Sequence, residues 1–218
     1  MNPSLRKLLY ILLWYIIYPN VLLLILTPGI YSNPENLVFL FVLLLSYLLG
    51  IIDTIIRPFS DSIEEDFSTN PIYSIILLIV FFFNPAFIAL AFYESKNLIP
   101  TVLPFWNHII ISIIGAILLI LGGIILVIGR YQLKKFGTGV LTIEEDHELI
   151  TSGIFKYIRH PIYAGGLLGI FGFYFAYQSL VITFFVILCY FIVFRQRLLF
   201  EESLLLNEFG RFRLNCCA

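Results

Sequence analysis

Apolar segments of about 20 residues recur along this chain, and they constrain its fold more than any other feature. The first four lie at about residues 8–26, 37–56, 72–92 and 108–128. A helix of about 20 apolar residues spans the roughly 30 Å hydrocarbon core of a bilayer. The chain is 60% hydrophobic and 12% charged, and a soluble domain of this size has too little interior to bury so much apolar surface. The sequence therefore predicts an integral membrane protein.

A fifth apolar stretch, residues 162–194, is too long for one span. A single straight helix over this stretch would be about 50 Å long at ~1.5 Å per residue. Gln178 and Ser179 interrupt the stretch near its middle, so we predict two helices joined there as a hairpin. The predicted fold is an all-α polytopic membrane bundle of four spans plus a C-terminal hairpin, about six apolar helices in all. We divide it into N-terminal membrane helices, residues 1–107, and a core, residues 108–218.

Basic residues fall on one side of this topology. With four spans before the hairpin, Arg6, Arg57, Arg130 and Arg195 share one side of the membrane, whereas Lys96 lies on the other. The positive-inside rule then places both termini and the two polar ends of the hairpin in the cytoplasm. The net charge of −1 gives no indication of a nucleic-acid partner. Without a C-x-x-C pair or a His-x-x-His cluster, no bound metal is expected.

One acidic residue, Asp53, lies inside the second apolar segment. An acid within a membrane span is a functional candidate. Arg57 follows four residues later on the same helical face, and we therefore interpret Asp53 as one half of an ion pair at the membrane boundary.

Polar and aromatic residues crowd against the start of the hairpin. Residues 151–153 read Thr-Ser-Gly, which is typical of a turn, and Arg159 and His160 come shortly before the apolar stretch. Pro161 suits the first turn of a helix because it donates no backbone hydrogen bond. A helix start of this kind offers unpaired backbone amides to an anion. Composition alone favours a simpler interpretation, a collar of basic and aromatic side chains at headgroup level.

Two segments resemble the signature of the isoprenylcysteine carboxyl methyltransferase family, which belongs to a superfamily with membrane phospholipid methyltransferases. The first, residues 147–165, reads HELITSGIFKYIRHPIYAG, and the second, residues 194–202, reads FRQRLLFEE before a Phe-Gly pair. Arg130, which follows an apolar helix, matches a third and weaker family position. The resemblance covers roughly residues 110–213. It implies a membrane enzyme with its site at the cytoplasmic face.

The resemblance further implies that S-adenosylmethionine binds between the His-Pro-x-Tyr segment and the paired-glutamate helix. The cofactor offers an ammonium, a carboxylate, ribose hydroxyls and an adenine ring to these residues. The candidate cofactor-binding residues are His147, Leu149, Gly153, Tyr157, Arg159, His160, Pro161, Tyr163, Glu201 and Glu202.

The favoured methyl acceptor is the α-carboxylate of an isoprenylated cysteine. A carboxylate is ionised at neutral pH and needs no base, but it does need a cation, and arginine binds carboxylates through two parallel hydrogen bonds. The candidate catalytic residues are Arg195 first, then Arg197 and Arg130. The lipid part of the acceptor is expected to enter between helices, so the expected partners are a lipid-modified cysteine, or another lipidic substrate, and membrane lipids.

Other interpretations stay open at this point. A phospholipid amine N-methyltransferase would use the same cofactor, with Glu201 or Glu202 as the base. Membrane sterol reductases, which use a nicotinamide cofactor, also resemble the His-Pro-x-Tyr segment. A non-catalytic scaffold is the third interpretation, and the polar residues argue against it. The family usually continues beyond the Phe-Gly pair with an aromatic-rich tail, and the connector at residues 134–148 is an alternative lid for this chain.

Overall fold

A computed structural model of the chain describes residues 3–32, 36–56, 82–102, 109–133 and 150–209. Regular structure within these ranges is helical, without strands, as predicted. The α-helices are α1 Pro3–Ile11, α2 Tyr18–Leu26, α3 Leu37–Ile56, α4 Asn84–Tyr93, α5 Ile99–Val102, α6 Ile109–Leu133, α7 Pro161–Ala176 and α8 Val181–Phe209.

Four helical stretches of the described chain are long and apolar enough to cross a bilayer. They are Leu8–Leu26, Leu37–Ile56, Ile109–Leu133 and Val181–Ser203. These stretches confirm the predicted first, second and fourth spans, and the last is the second arm of the hairpin. The predicted third span is described only from residue 82, and α4 begins at Asn84, with Pro85 in its first turn. The chain is thus a multi-pass membrane protein.

The first span changes its helical form at its centre. Residues Leu12–Ile17, between α1 and α2, are π-helical, and the amide of Tyr18 bonds the carbonyl of Leu13, five residues earlier. Pro19 has no amide hydrogen to offer the carbonyl four residues before it. The widened turns accommodate this proline inside a span, and π-helical turns of this kind are frequent at functional sites.

The apolar stretch at residues 162–194 folds as the predicted hairpin. Its arms are α7 and α8, and the turn between them contains Gln178 at φ +59°. The Gln178 side chain donates to the hydroxyl of Ser112 on α6 at 2.8 Å, which compensates for the left-handed backbone. The 16 residues of α7 and the 29 of α8 give lengths of about 24 and 44 Å. The second arm therefore extends beyond the start of the first.

Helices α6 and α7 pack backbone to backbone through glycines. A Cβ atom on Gly122 would lie 2.3 Å from the backbone nitrogen of Gly169, and one on Gly115 would lie 2.4 Å from that of Ala176. Small residues allow this close approach in membranes. Helix α6 also continues to Leu133, beyond the predicted end near residue 128. Gly129 lies inside α6 and packs against the Pro161 ring. A Cβ atom added to Gly129 would lie 2.9 Å from that ring.

Glu94, the residue that follows α4, contacts the turn of the hairpin and fixes it in the bundle. Its buried carboxylate accepts hydrogen bonds from the Ser179 hydroxyl and from the amides of Leu180 at 2.8 Å, Val181 at 2.9 Å and Ile182 at 3.1 Å. The carboxylate thus caps the N-terminus of α8 from outside that helix. Burial alone would raise the pKa of Glu94, but the four donated hydrogen bonds outweigh it and lower that pKa.

We expect Glu94→Gln to lower the free energy of unfolding by about 2–3 kcal/mol, because bonds to a buried charged acceptor are lost. The depressed pKa makes this contribution complete above the unfolded pKa, about 4.3. The contribution is lost as the pH falls through the folded pKa. The melting temperatures of Glu94→Gln and of the parent, measured in detergent, should therefore differ at pH 7 and converge in acid. Asn97→Ala, which removes an exposed bond to the Tyr93 carbonyl, is the control. An equal gap at both pH values would contradict the assignment.

Candidate active site

The start of α7 has the local structure that its sequence predicts. His160 is the last non-helical residue and Pro161 the first helical one. Gly153–Lys156 forms a short 3-10 turn just before, with Gly153 at φ +66°, a conformation that favours glycine. The turn and the proline together set where the side chains of residues 159–163 begin to follow the helix.

Gln132, in the last turn of α6, contacts the segment that precedes α7. The Gln132 side-chain oxygen accepts a hydrogen bond from the amide of Ile154 at 3.0 Å. A Cβ atom on Gly153 would lie 2.4 Å from the Gln132 amide nitrogen, so only glycine leaves room for this contact. Gln132 was not among the predicted site residues. The sequence shows only a polar residue near the end of an apolar helix, which is common at membrane boundaries.

The two ends of the hairpin meet through Glu202. His160 Nε2 lies 3.1 Å from Glu202 Oε1, and Arg159 Nη1 lies 3.7 Å from the same oxygen. His160 and Glu202 are partly buried, whereas the Arg159 side chain is 44% exposed. The His-Pro-x-Tyr segment and the paired-glutamate helix are therefore in contact, as predicted. His160 and Glu202 are 42 positions apart in the sequence.

Glu201 makes a second link between the same two helices. The Tyr163 hydroxyl donates to Glu201 Oε2 at 2.8 Å and accepts from the Arg197 guanidinium. The Phe194 ring packs on Tyr163 with 5.5 Å between ring centroids. Successive residues of a helix point about 100° apart, so the two glutamates bind different partners. We call the following residues the polar cluster: Arg159, His160, Tyr163, Arg197, Glu201 and Glu202.

The other two candidate arginines lie in different surroundings. Arg195 is exposed and precedes Glu202 by seven residues on α8, so both side chains share one stripe of the helix. Arg130 is buried, at 7% exposure, and forms an ion pair with Asp53 of α3. The sequence suggested Arg57 as the partner of Asp53, but Arg57 lies outside the described residues. Asp53 thus joins the second span to the fourth.

Of the remaining predicted residues, Gly153, Tyr157 and Pro161 are described by the structure. Gly153 and Pro161 shape the turn and the helix start, while Tyr157 is 81% exposed beneath the Lys156 ammonium, 5.9 Å from its ring centroid. His147 and Leu149 lie outside the described residues, as does the connector proposed as a lid. The cofactor roles assigned to these residues stay predictions.

A cavity of about 410 Å³ lies between the helices next to the polar cluster. We call it the inner cavity. Phe194, which packs on Tyr163, and Asp53 line one end, and Asn84 and Tyr174 line the other. Its walls are mainly aromatic side chains and glycines of the first, second and fourth spans and of the hairpin. Charged groups of both signs and an apolar cavity therefore adjoin at one end of the bundle.

Comparison with known proteins shows which family the C-terminal half of the chain resembles. The sequence model of the phospholipid methyltransferase family matches residues 110–211, which include α6, the hairpin and the polar cluster. No curated protein and no solved structure matches the chain. Members of the matching family generally use S-adenosylmethionine. Over residues 110–211 this chain is therefore similar to the phospholipid methyltransferase family, which lies within the membrane methyltransferase superfamily that includes the isoprenylcysteine methyltransferases.

Proposed function

We propose that this membrane methyltransferase transfers a methyl group from S-adenosylmethionine to the α-carboxylate of an isoprenylated cysteine. The polar cluster would hold the cofactor, and Arg195 would hold the acceptor carboxylate. The excess of basic residues at this end of the bundle supports a site on the cytoplasmic face.

The donors and acceptors of the polar cluster fit the cofactor. Glu201 and Glu202 offer acceptor oxygens to an ammonium or to ribose hydroxyls, and Arg159 and His160 offer donors to a carboxylate. When bound, S-adenosylmethionine supplies an activated methyl group together with its leaving group. The protein then has to align the acceptor and exclude water. The Tyr163 hydroxyl, which donates to Glu201, holds that carboxylate in place for this task.

The exposure of Arg195 is the observation that most supports a carboxylate acceptor. The guanidiniums of Arg130 and Arg159 face carboxylates, and that of Arg197 bonds Tyr163. Arg195 is exposed on the stripe of α8 that leads to Glu202. It is therefore the arginine best placed to receive an anion from the membrane side.

The protonation chemistry also supports an anionic acceptor. An ionised carboxylate carries no proton that a base must remove, whereas an ammonium must lose a proton before it can accept a methyl group. Both glutamates of the polar cluster already accept hydrogen bonds, from Tyr163 and from His160. The acidic residue of the inner cavity, Asp53, is paired with Arg130.

Methylation of a phospholipid amine is the second candidate, and the family match is compatible with either acceptor. In that case Glu201 or Glu202 would accept the proton of the amine. The two candidates share the cofactor and the membrane location, and they differ in the chemical bond that is formed.

The stability of the product in alkali distinguishes the two acceptors. Purified protein in nanodiscs receives S-adenosylmethionine with a tritiated methyl group, together with N-acetyl-S-farnesylcysteine or phosphatidylethanolamine. We expect lipid-soluble label with the farnesylcysteine, and we expect alkali to release it as volatile methanol, as for an ester. Alkali-stable label on phosphatidylethanolamine alone would establish the amine acceptor instead. Binding of NADPH without any binding of S-adenosylmethionine would exclude both.

A further inference from the structure

The inner cavity has the depth of one membrane leaflet. Along α7 it extends from Gly165 to Tyr174, and along α3 from Ser46 to Asp53. These intervals of nine and seven residues correspond to roughly 11–14 Å at 1.5 Å per residue. Half of a bilayer's hydrocarbon core is about 15 Å. A single hydrocarbon chain that enters beside the polar cluster would therefore reach the far end of the cavity near the middle of the membrane.

Hydrogen-bonded side chains line the far end of the inner cavity and form its floor. The Tyr174 hydroxyl donates to Asn84 Oδ1 at 2.8 Å, and Tyr174 is among the most deeply buried side chains described. The Tyr18 hydroxyl, on the opposite wall, donates to the carbonyl of Phe82. Paired polar groups are costly to separate inside a membrane, so this floor resists displacement.

Half of the residues that line the inner cavity come from the part of the chain that precedes the family match. Trp14 and Tyr15 belong to the π-helical turns of the first span and line the cavity. Tyr15 packs over Gly50, where an added Cβ would lie 2.3 Å from the ring. The N-terminal spans thus complete a site whose chemistry lies in residues 110–211.

We infer that the inner cavity holds the hydrocarbon tail of the acceptor, and that the Tyr174–Asn84 floor sets the longest tail that fits. This inference rests on the proposed function only in requiring a lipidated acceptor. The tail lies along the aromatic and glycine walls, and the head lies at the Asp53–Phe194 end beside the polar cluster. A tail longer than the cavity must bend or leave its head short of the site.

Binding measured without methyl transfer tests this inference. The probes are N-acetyl-S-prenylcysteines with tails of 10, 15 and 20 carbons, titrated by calorimetry into the purified chain in detergent. Ile170→Trp fills the cavity from α7, and Ile88→Ala deepens it beside the floor. We expect Ile170→Trp to weaken binding of the two longer tails at least tenfold and to leave the shortest within twofold. Ile88→Ala should favour the 20-carbon tail over the 15-carbon tail relative to the parent.

Matched substitutions on the lipid-facing surface provide the controls. Ile117 lies on α6 and is 51% exposed, so Ile117→Trp and Ile117→Ala change the same side chains without touching the cavity. Each variant is first required to bind S-adenosylmethionine or to unfold at the temperature of the parent. Equal effects on all three tails, no saturable binding of any tail, or the same pattern in the Ile117 variants would overturn the inference. Tail-selective binding without methyl transfer would support it and refute only the proposed function.

Discussion

Arg195→Ala is expected to reduce methyl transfer to a lipidated-cysteine carboxylate by about 100-fold to 1000-fold. Two charge-assisted hydrogen bonds to a carboxylate together contribute on the order of 3–4 kcal/mol, and each 1.4 kcal/mol is a factor of ten. The cofactor affinity should stay within about twofold, because Glu201, Glu202 and their hydrogen-bond partners are unchanged. Turnover is measured with tritiated S-adenosylmethionine, and cofactor binding by calorimetry.

The neighbouring position provides a control for this substitution. Gln196 is exposed on the same helical turn, so Gln196→Ala changes a polar side chain without removing a cation. Arg195→Lys keeps the charge but loses the two-pronged geometry, and it should recover only part of the turnover. If Arg195→Ala and the parent turn over equally, the clamp is assigned to the wrong residue. If cofactor affinity falls together with turnover, Arg195 belongs to the cofactor site.

The hairpin shows how much of this fold could be predicted from sequence. The length of residues 162–194 exceeds one bilayer crossing, and Gln178 marks the only place where polar residues could form a turn. Once the turn is placed there, the geometry brings His160 and Glu202 to the same end, and the structure shows them 3.1 Å apart. Length and polarity are local properties, so they could be interpreted without knowing which helices are neighbours.

The contacts between helices that are far apart in sequence could not be predicted in this way. Asp53 pairs with Arg130, 77 residues away, and Glu94 caps α8 from 85 or more residues away. Sequence spacing suggested Arg57 for Asp53, a pairing that stays a prediction, and it gave no sign of Arg130 because only neighbours along one helix can be recognised from spacing. The role of Gln132 likewise depends on its contact with Gly153, which sequence spacing does not indicate. Pairings between spans depend on helix packing, which the apolar pattern does not determine.

The inner cavity was also beyond sequence reasoning, although its components were visible. The sequence shows glycines in α6 and α7 and a proline, Pro19, inside the first span. Gly123 approaches Leu49 of α3 instead of α7, and the π-helical turns place Trp14 and Tyr15 along the same cavity wall. A space between helices arises from packing on all its sides, and no single segment encodes it.

Substitution of Glu201 and of His160 provides the second test of the site. Glu201→Ala and His160→Ala are each expected to weaken S-adenosylmethionine binding by about 10-fold to 100-fold, since a hydrogen bond to a charged group contributes on the order of 1.5–3 kcal/mol. Glu201→Ala also leaves the Tyr163 hydroxyl without its acceptor. His160→Ala removes the ring that contacts Glu202. Calorimetric titration of the purified variants measures both effects.

Tyr163→Phe separates a direct role of Glu201 from a positioning role of its partner. This variant keeps the carboxylate and the ring packed on Phe194 but removes the hydroxyl that donates to Glu201. If the carboxylate itself binds the cofactor, affinity should fall only a few-fold in Tyr163→Phe and far more in Glu201→Ala. Ser203→Ala, whose hydroxyl bonds only the Phe200 carbonyl among the described contacts, should bind the cofactor as the parent does. Parent-like affinity in Glu201→Ala and His160→Ala would place the cofactor elsewhere, because no cofactor group would then depend on either side chain.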